Sequence, residues 1–459
     1  MMDDYQDRSI FFDITKNEDV KEFLSNCNFL HEPSENEIQT ILNNFSEYLP
    51  KGDYPNNIIG LDANFYEANI RKDIPFTNVG YVKVSNILLK KKKIEEISAN
   101  RFIDPFKVAK IKKNNESYVF VLPSSNILYN GKNSVRESFR YKLEEIFKSI
   151  KFENDSDSSL LQTLFWLFEN KKGNIGSKDI YLDSCPNCKT KNVKVLNIDG
   201  EQFCPHCHNS IYATDCLRIW EAIIDDGSNN QTALSRLSNV ILTIFLAHYI
   251  RTLKLKSKEN YLELLSGTMF VLNSPLAVFG NSAWVHGSIM KILFDLNNEL
   301  KGKGFNQLMV IGIPKSSIVL SFANYLEKYL PKNSILCISD DFRTKYITFN
   351  RQESSSTFGS ETYYGQDFIY KTSKGKMKAF SIPYPFKNKE NIKQFKIQKS
   401  EINRYTNISK YIKFIEDFDC DMGDNSVIPA VLARKYSVIN LQPGTKVLDL
   451  ISASNLQQS

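Results

Sequence analysis

The sequence predicts an α/β fold built on a mixed sheet with flanking helices, and three observations point that way. Residues 268–272 (TMFVL) form an apolar run of strand formers with no polar alternation, as a strand buried on both faces requires. Residues 57–64, 79–89 and 117–122 read as earlier strands, the later two continuing the first as a meander. From residue 285 the chain alternates helix (285–300), strand (308–313), helix (317–330) and strand (334–339). That βαβαβ rhythm implies parallel strands joined by crossover helices.

The remaining elements follow in order. Residues 1–55 read as a helical segment, with Ser34 and Glu37 forming a capping box ahead of Ile38, Ile41 and Leu42. Helices are expected over 135–150 and 158–168, then over 211–224 and 232–255. Two strands, 367–371 and 377–383, flank a Lys-Gly turn, and helices over 427–436 and 446–453 end the chain. The organisation is therefore a helical segment (1–55), the first part of a core (56–170), an insertion (171–210), and the rest of the core with C-terminal helices (211–459).

At 459 residues the chain has ample length for a sizeable core. A net charge of +6 permits nucleic-acid contact through a local patch without requiring it. The acidic N-terminus lacks the basic-then-apolar order of a secretory signal. The longest apolar stretch, 240–250, is too short to span a bilayer and reads as the buried face of a core helix. A soluble cytoplasmic protein with no membrane partner is expected.

Of eight cysteines, Cys185, Cys188, Cys204 and Cys207 are clustered and the others scattered, which is not a disulfide framework. Cys185-Pro-Asn-Cys188 and Cys204-Pro-His-Cys207 are two knuckles separated by 15 residues, 189–203. Each sets two thiolates on one side of a tight turn, so the pair closes a tetrahedron around structural Zn²⁺. His206 and His208 are possible competing ligands.

Asp62 and Asn273 share a context, a buried apolar strand ending in a small polar tip. Carboxylates at adjacent strand tips are how many nucleases hold Mg²⁺ or Mn²⁺. Asp340 and Asp341, after the strand over 334–339, read as helix N-caps or as a further ligand. Several segments then resemble the NurA nucleases, in their zinc-ribbon-bearing bacterial branch, among them Phe358 to Lys371 and Ile382 to Pro385. Phe270 to Ala277 (FVLNSPLA) is similar to the family's DGPLA strand, and Ile59-Gly60-Leu61-Asp62 to its first catalytic strand. Ile428 to Ser437 (IPAVLARKYS) is similar to the family's C-terminal helix, and the stretch after the ribbon resembles that branch.

The resemblance implies an RNase H-like core, a homodimer, Mn²⁺- or Mg²⁺-dependent cleavage of DNA, and docking on a HerA-type hexameric ATPase. It matches Asp62 to the first metal-binding aspartate and Glu221, expected on a helix, to the family glutamate. The chain departs from the family at three positions. Asn273 stands where the second aspartate would be, Ser426 where a tyrosine would be, and Arg434 where a histidine would be. An amide carries no charge for a divalent cation, and an arginine cannot act as a general base.

The leading expectation is a metal-dependent DNA nuclease subunit working with a HerA-type translocase in DNA end processing or anti-phage defence. The alternatives are a NurA-like scaffold that binds DNA or the ATPase without cleaving, and a zinc-ribbon nucleic-acid-binding protein. Lys90, Lys91, Lys92 and Lys93 with Arg101, and the tract Lys387, Lys389, Lys393, Lys396 and Lys399, are candidates for tracking a DNA backbone. Ile313-Pro314-Lys315-Ser316 lacks the glycines of a phosphate loop, so ATP hydrolysis is assigned to a partner.

Overall fold

A computed structural model describes residues 17–27, 33–71, 73–92, 115–151, 155–174, 176–348, 357–420, 422–423 and 425–439. The chain forms two compact units that divide between Phe45 and Ser46. The first holds α1 (Glu18–Ser25) and α2 (Glu35–Leu42), and the Ser34–Glu37 capping box is formed as expected. Lys93, Arg101 and the helix expected over 446–453 lie outside the described residues.

The second unit begins with β1 (Ser46–Glu47), β2 (Asn57–Asn69), β3 (Asn78–Lys90) and β4 (Asn115–Ser125), then α3 (Val135–Ser149) and α4 (Leu160–Glu169). Two small hairpins follow, β5 (Ile180–Ser184) with β6 (Lys191–Val195), and β7 (Gln202–Phe203) with β8 (Ser210–Ile211). Next come α5 (Gln231–Lys256), α6 (Tyr261–Ser266), β9 (Thr268–Leu272), α7 (Trp284–Gly302), β10 (Met309–Gly312), α8 (Ile318–Tyr325) and β11 (Ser334–Cys337). The chain continues through β12 (Gly365–Lys371), β13 (Met377–Pro383), α9 (Ile392–Gln398), α10 (Ile408–Phe418) and α11 (Ile428–Ser437).

Among the described residues nine strands form one mixed sheet in the order β1-β11-β12-β13-β10-β9-β2-β3-β4. Strands β2, β3 and β4 are an antiparallel meander, and β2, β9 and β10 run parallel. All five residues of β9 are buried, because helices cover both faces there. One face carries Leu61, Val82, Phe270 and Val310 against apolar residues of α3, α4, α5 and α7. The other carries Ile58, Ile87, Val271 and Ile311 against α10 and α11. Helix α5 is long and apolar enough to cross a membrane by composition, but 72% of its most apolar window is buried within the protein. It is a core helix.

Four expectations are corrected. The rhythm β9-α7-β10-α8-β11 does not give three parallel strands. The β12–β13 hairpin pairs antiparallel with β10 on one side and with β11 on the other, so β11 runs opposite to β10. The helix expected over 211–224 is two short 3-10 turns, Ala213–Leu217 and Ile219–Ala222, separated by Arg218 at φ +55°. Here the buried Asp215 carboxylate accepts the Tyr212 N–H and the Arg140 guanidinium, which holds the backbone in a tight turn. Residues 46–55 are not helical, since Ser46 and Glu47 pair with β11. Finally, neither Asp340 nor Asp341 caps the turn after β11. Ser339 does so through the Phe342 N–H, while Asp340 pairs with the buried Lys399 at 2.6 Å.

Candidate functional site

Asp62 does not end its strand. It sits inside the 13-residue β2, paired across to Ser85 on β3, at the row where the shorter β9 stops. The last β2–β9 pair is Leu61 with Leu272, after which the Asn273 N–H still bonds the Leu61 carbonyl at 3.0 Å. That bond turns the Asn273 side chain onto its neighbour, and Nδ2 donates to Asp62 Oδ1 at 2.9 Å. Pro275 two residues on cannot extend the ladder, which explains why β9 ends here.

Helix α11 closes the site from above. Gly60 lies under its first turn, and a Cβ at that position would stand 2.5 Å from the Pro429 carbonyl oxygen. Ala430, Ala433 and Ser437 face the sheet, and Ser85 Oγ donates to the Ala433 carbonyl at 2.5 Å. This close approach brings the Ser437 hydroxyl onto Asp62 Oδ2. Both carboxylate oxygens are thus held by donors of the same chain. Burial raises the Asp62 pKa to about 6, against the hydrogen bonds from Ser437 and Asn273 and the positive charge of Arg434.

The other sequence candidates divide around this carboxylate. Arg434 acts on Asp62 electrostatically, and its guanidinium makes no hydrogen bond or ion pair among the described residues. Glu221 is on the 3-10 turn Ile219–Ala222, not on a helix, and is held by Arg218 at 2.7 Å and by Asn281. Ser426 precedes α11, where its carbonyl accepts the Lys378 ammonium at 3.1 Å. Neither is a partner of Asp62. Ser437 and Ser85 were missed. The signal for them was the small-residue spacing 430, 433 and 437 opposite Gly60, which marks a helix lying close on a sheet.

The cation implied by the resemblance does not fit this donor set. A divalent ion needs several oxygen ligands, whereas among the described residues Asp62 belongs to no group of three or more metal-ligating side chains and faces two hydrogen-bond donors. The four cysteines behave differently. Their Sγ atoms all lie within 4.8 Å of one another, with Cys185–Cys207 at 3.8 Å and Cys188–Cys204 at 3.7 Å. The two knuckles repeat one geometry. Cys185 N–H bonds the Thr190 carbonyl and Cys204 N–H the Asn209 carbonyl, with Lys189 and His208 in the left-handed region after each knuckle. This arrangement is compatible with a structural zinc site, and among the described residues His206 and His208 are not part of it. The hairpin β5–β6 packs Leu182, Val193 and Val195 into the core beside α4, and Arg140 of α3 secures the following turn through Asp215 and the Ser210 carbonyl.

The basic tracts are partly structural. Lys91 is paired with Asp53 and lies over the Tyr54 ring. Lys399 is buried, and Lys389 donates to the carbonyls of Gly359, Ser360 and Tyr363. Lys389 and Lys399 pin the chain around residues 358–363 and are not free to contact DNA, whereas Lys90, Lys92 and Lys393 are exposed, and the exposed Lys387 and Lys396 pair with Asp295 and Asp341. No protein-family model and no curated protein matches this chain.

Proposed function

We propose that this chain is a NurA-like subunit that binds DNA and docks on a HerA-type hexameric ATPase, with an RNase H-like core that has lost cleavage. The single observation that carries the reading is the Asn273–Asp62 hydrogen bond across β2 and β9. It supports the pairing of the two residues that the resemblance treats as one metal site. It also leaves an amide where the second carboxylate would be. The antiparallel meander followed by two strands parallel to its first strand supports the RNase H-like core. The contact between the two strands counts against an unrelated body carrying a zinc ribbon. Homodimerisation, a cytoplasmic location and a role in end processing or anti-phage defence come with the same reading.

A second reading, a working Mn²⁺- or Mg²⁺-dependent nuclease, is favoured by one detail. The Asn273 carbonyl oxygen takes no hydrogen bond among the described residues and is available as a ligand. Incubation with linear DNA and Mn²⁺, with and without the partner ATPase, separates the two. No cleavage by the wild type and its appearance in Asn273→Asp are expected. Wild-type cleavage abolished by Asp62→Ala would establish the second reading instead.

A further inference from the structure

On β3 the side chains at Tyr81, Lys83, Ser85, Ile87 and Leu89 share the face that α11 covers. Ser85 bonds α11, Ile87 and Leu89 join its apolar cluster, and Tyr81 packs against Ile439. Lys83 lies between the last residue α11 covers and that Tyr81–Ile439 contact. It is half-buried, and it has no hydrogen bond, ion pair or ring contact among the described residues. Burial alone lowers its pKa. Other lysines lowered by burial are satisfied, Lys399 by Asp340 and Lys389 by three carbonyls. An unpaired cation costs stability where it sits. An anion from outside the chain would remove that cost.

The setting names the ligand. Lys83 pairs across to Asn64 and is the diagonal neighbour of Asp62, about 7–8 Å away between Cα atoms. Its partner on the other side is Val119 of β4, which is exposed along with Val121, so this row is open from the sheet edge. Arg434, whose charge acts on Asp62, offers a second cation with no ion-pair partner among the described residues. We propose that Lys83 and Arg434 are two contact points for a phosphodiester backbone lying across the open end of the meander beside Asp62. The proposal rests on the DNA-binding reading above, and it differs from the lysine run at the opposite end of β3. Lys90 is five residues from Ser85, roughly 17 Å along the strand.

The test is fluorescence anisotropy of labelled linear DNA over a salt series with no added divalent cation, for wild type, Lys83→Met, Arg434→Gln and the double variant. Lys83→Met keeps the apolar stem, and melting temperatures confirm folding. Each single change is expected to lower the slope of log K against log salt by about 0.7–0.9, and the double change by about twice that. Lys90→Ala is expected to change it less. Wild-type binding with slopes unchanged in all three variants overturns this inference and leaves the DNA reading standing. A thermal shift with inorganic pyrophosphate is the second arm. Lys83-dependent stabilisation without DNA binding keeps the phosphate site and removes nucleic acid as its source. Failure of the wild type with both probes overturns the site and the DNA reading together.

Discussion

The four-cysteine cluster and the Asp62 site are built on opposite plans. The cysteines come from one short stretch, and each knuckle makes its own turn by local hydrogen bonds. Asp62 gathers Asn273 from 211 residues away and Ser437 from 375 residues away. One site is a property of local sequence and the other a property of the whole sheet with its covering helix. They should therefore fail independently.

The largest effect is expected at the cysteines. Cys204→Ser, or a strong chelator, should take zinc content from about one per chain to none by elemental analysis and unfold the ribbon, since structural zinc contributes about 10–16 kcal/mol in isolated fingers. Zinc retained at full stoichiometry after Cys204→Ser would remove the site. The next effect is titration of Asp62. Its pKa rises from 3.8 to about 6 on folding, so the folded chain holds a proton that the unfolded chain has lost, and stability falls as pH rises through that window. Two units amount to about 3 kcal/mol. Asp62→Asn should thus stabilise the protein by up to that amount near pH 8 and by little near pH 4, measured by urea unfolding. An equal effect at both values would show that the carboxylate is not held as described.

The smallest effect sharpens the contrast. Gly60→Ala drives a methyl into the Pro429 carbonyl and should cost about 1–3 kcal/mol as α11 shifts. It should also lower the Asp62 pKa by letting water in, with zinc content unchanged. A parallel loss of zinc would mean that the two sites are coupled.

This difference also explains what was legible. The knuckles, the buried strand 268–272, the core helix and the β12–β13 hairpin follow from periodicity and turn chemistry, and the structure has them. The place of β11 was not legible, because a hairpin later in the chain inserts beside β10 and no local pattern records it. The turns at 213–222 were hidden because Asp215 answers to Arg140, 75 residues earlier. At the site, Asp62 and Asn273 were found as strand residues and are in contact. Ser437 was not, because its role exists only once Gly60 lets α11 settle on the sheet. Lys83 shows no pattern at all in sequence; its meaning is the partner it lacks among the described residues.

The reach from Asp62 to Ser437 has a consequence for the life of the chain. Synthesis at about 5–20 residues per second puts roughly 20–75 s between them on the ribosome. From residue 209 onward the cysteine knuckles are complete and able to fold, while the Asp62 row waits uncovered for α11. A nascent or truncated chain ending between residues 211 and 428 would therefore carry a finished ribbon and an open Asp62 site, so covering of that site waits for α11.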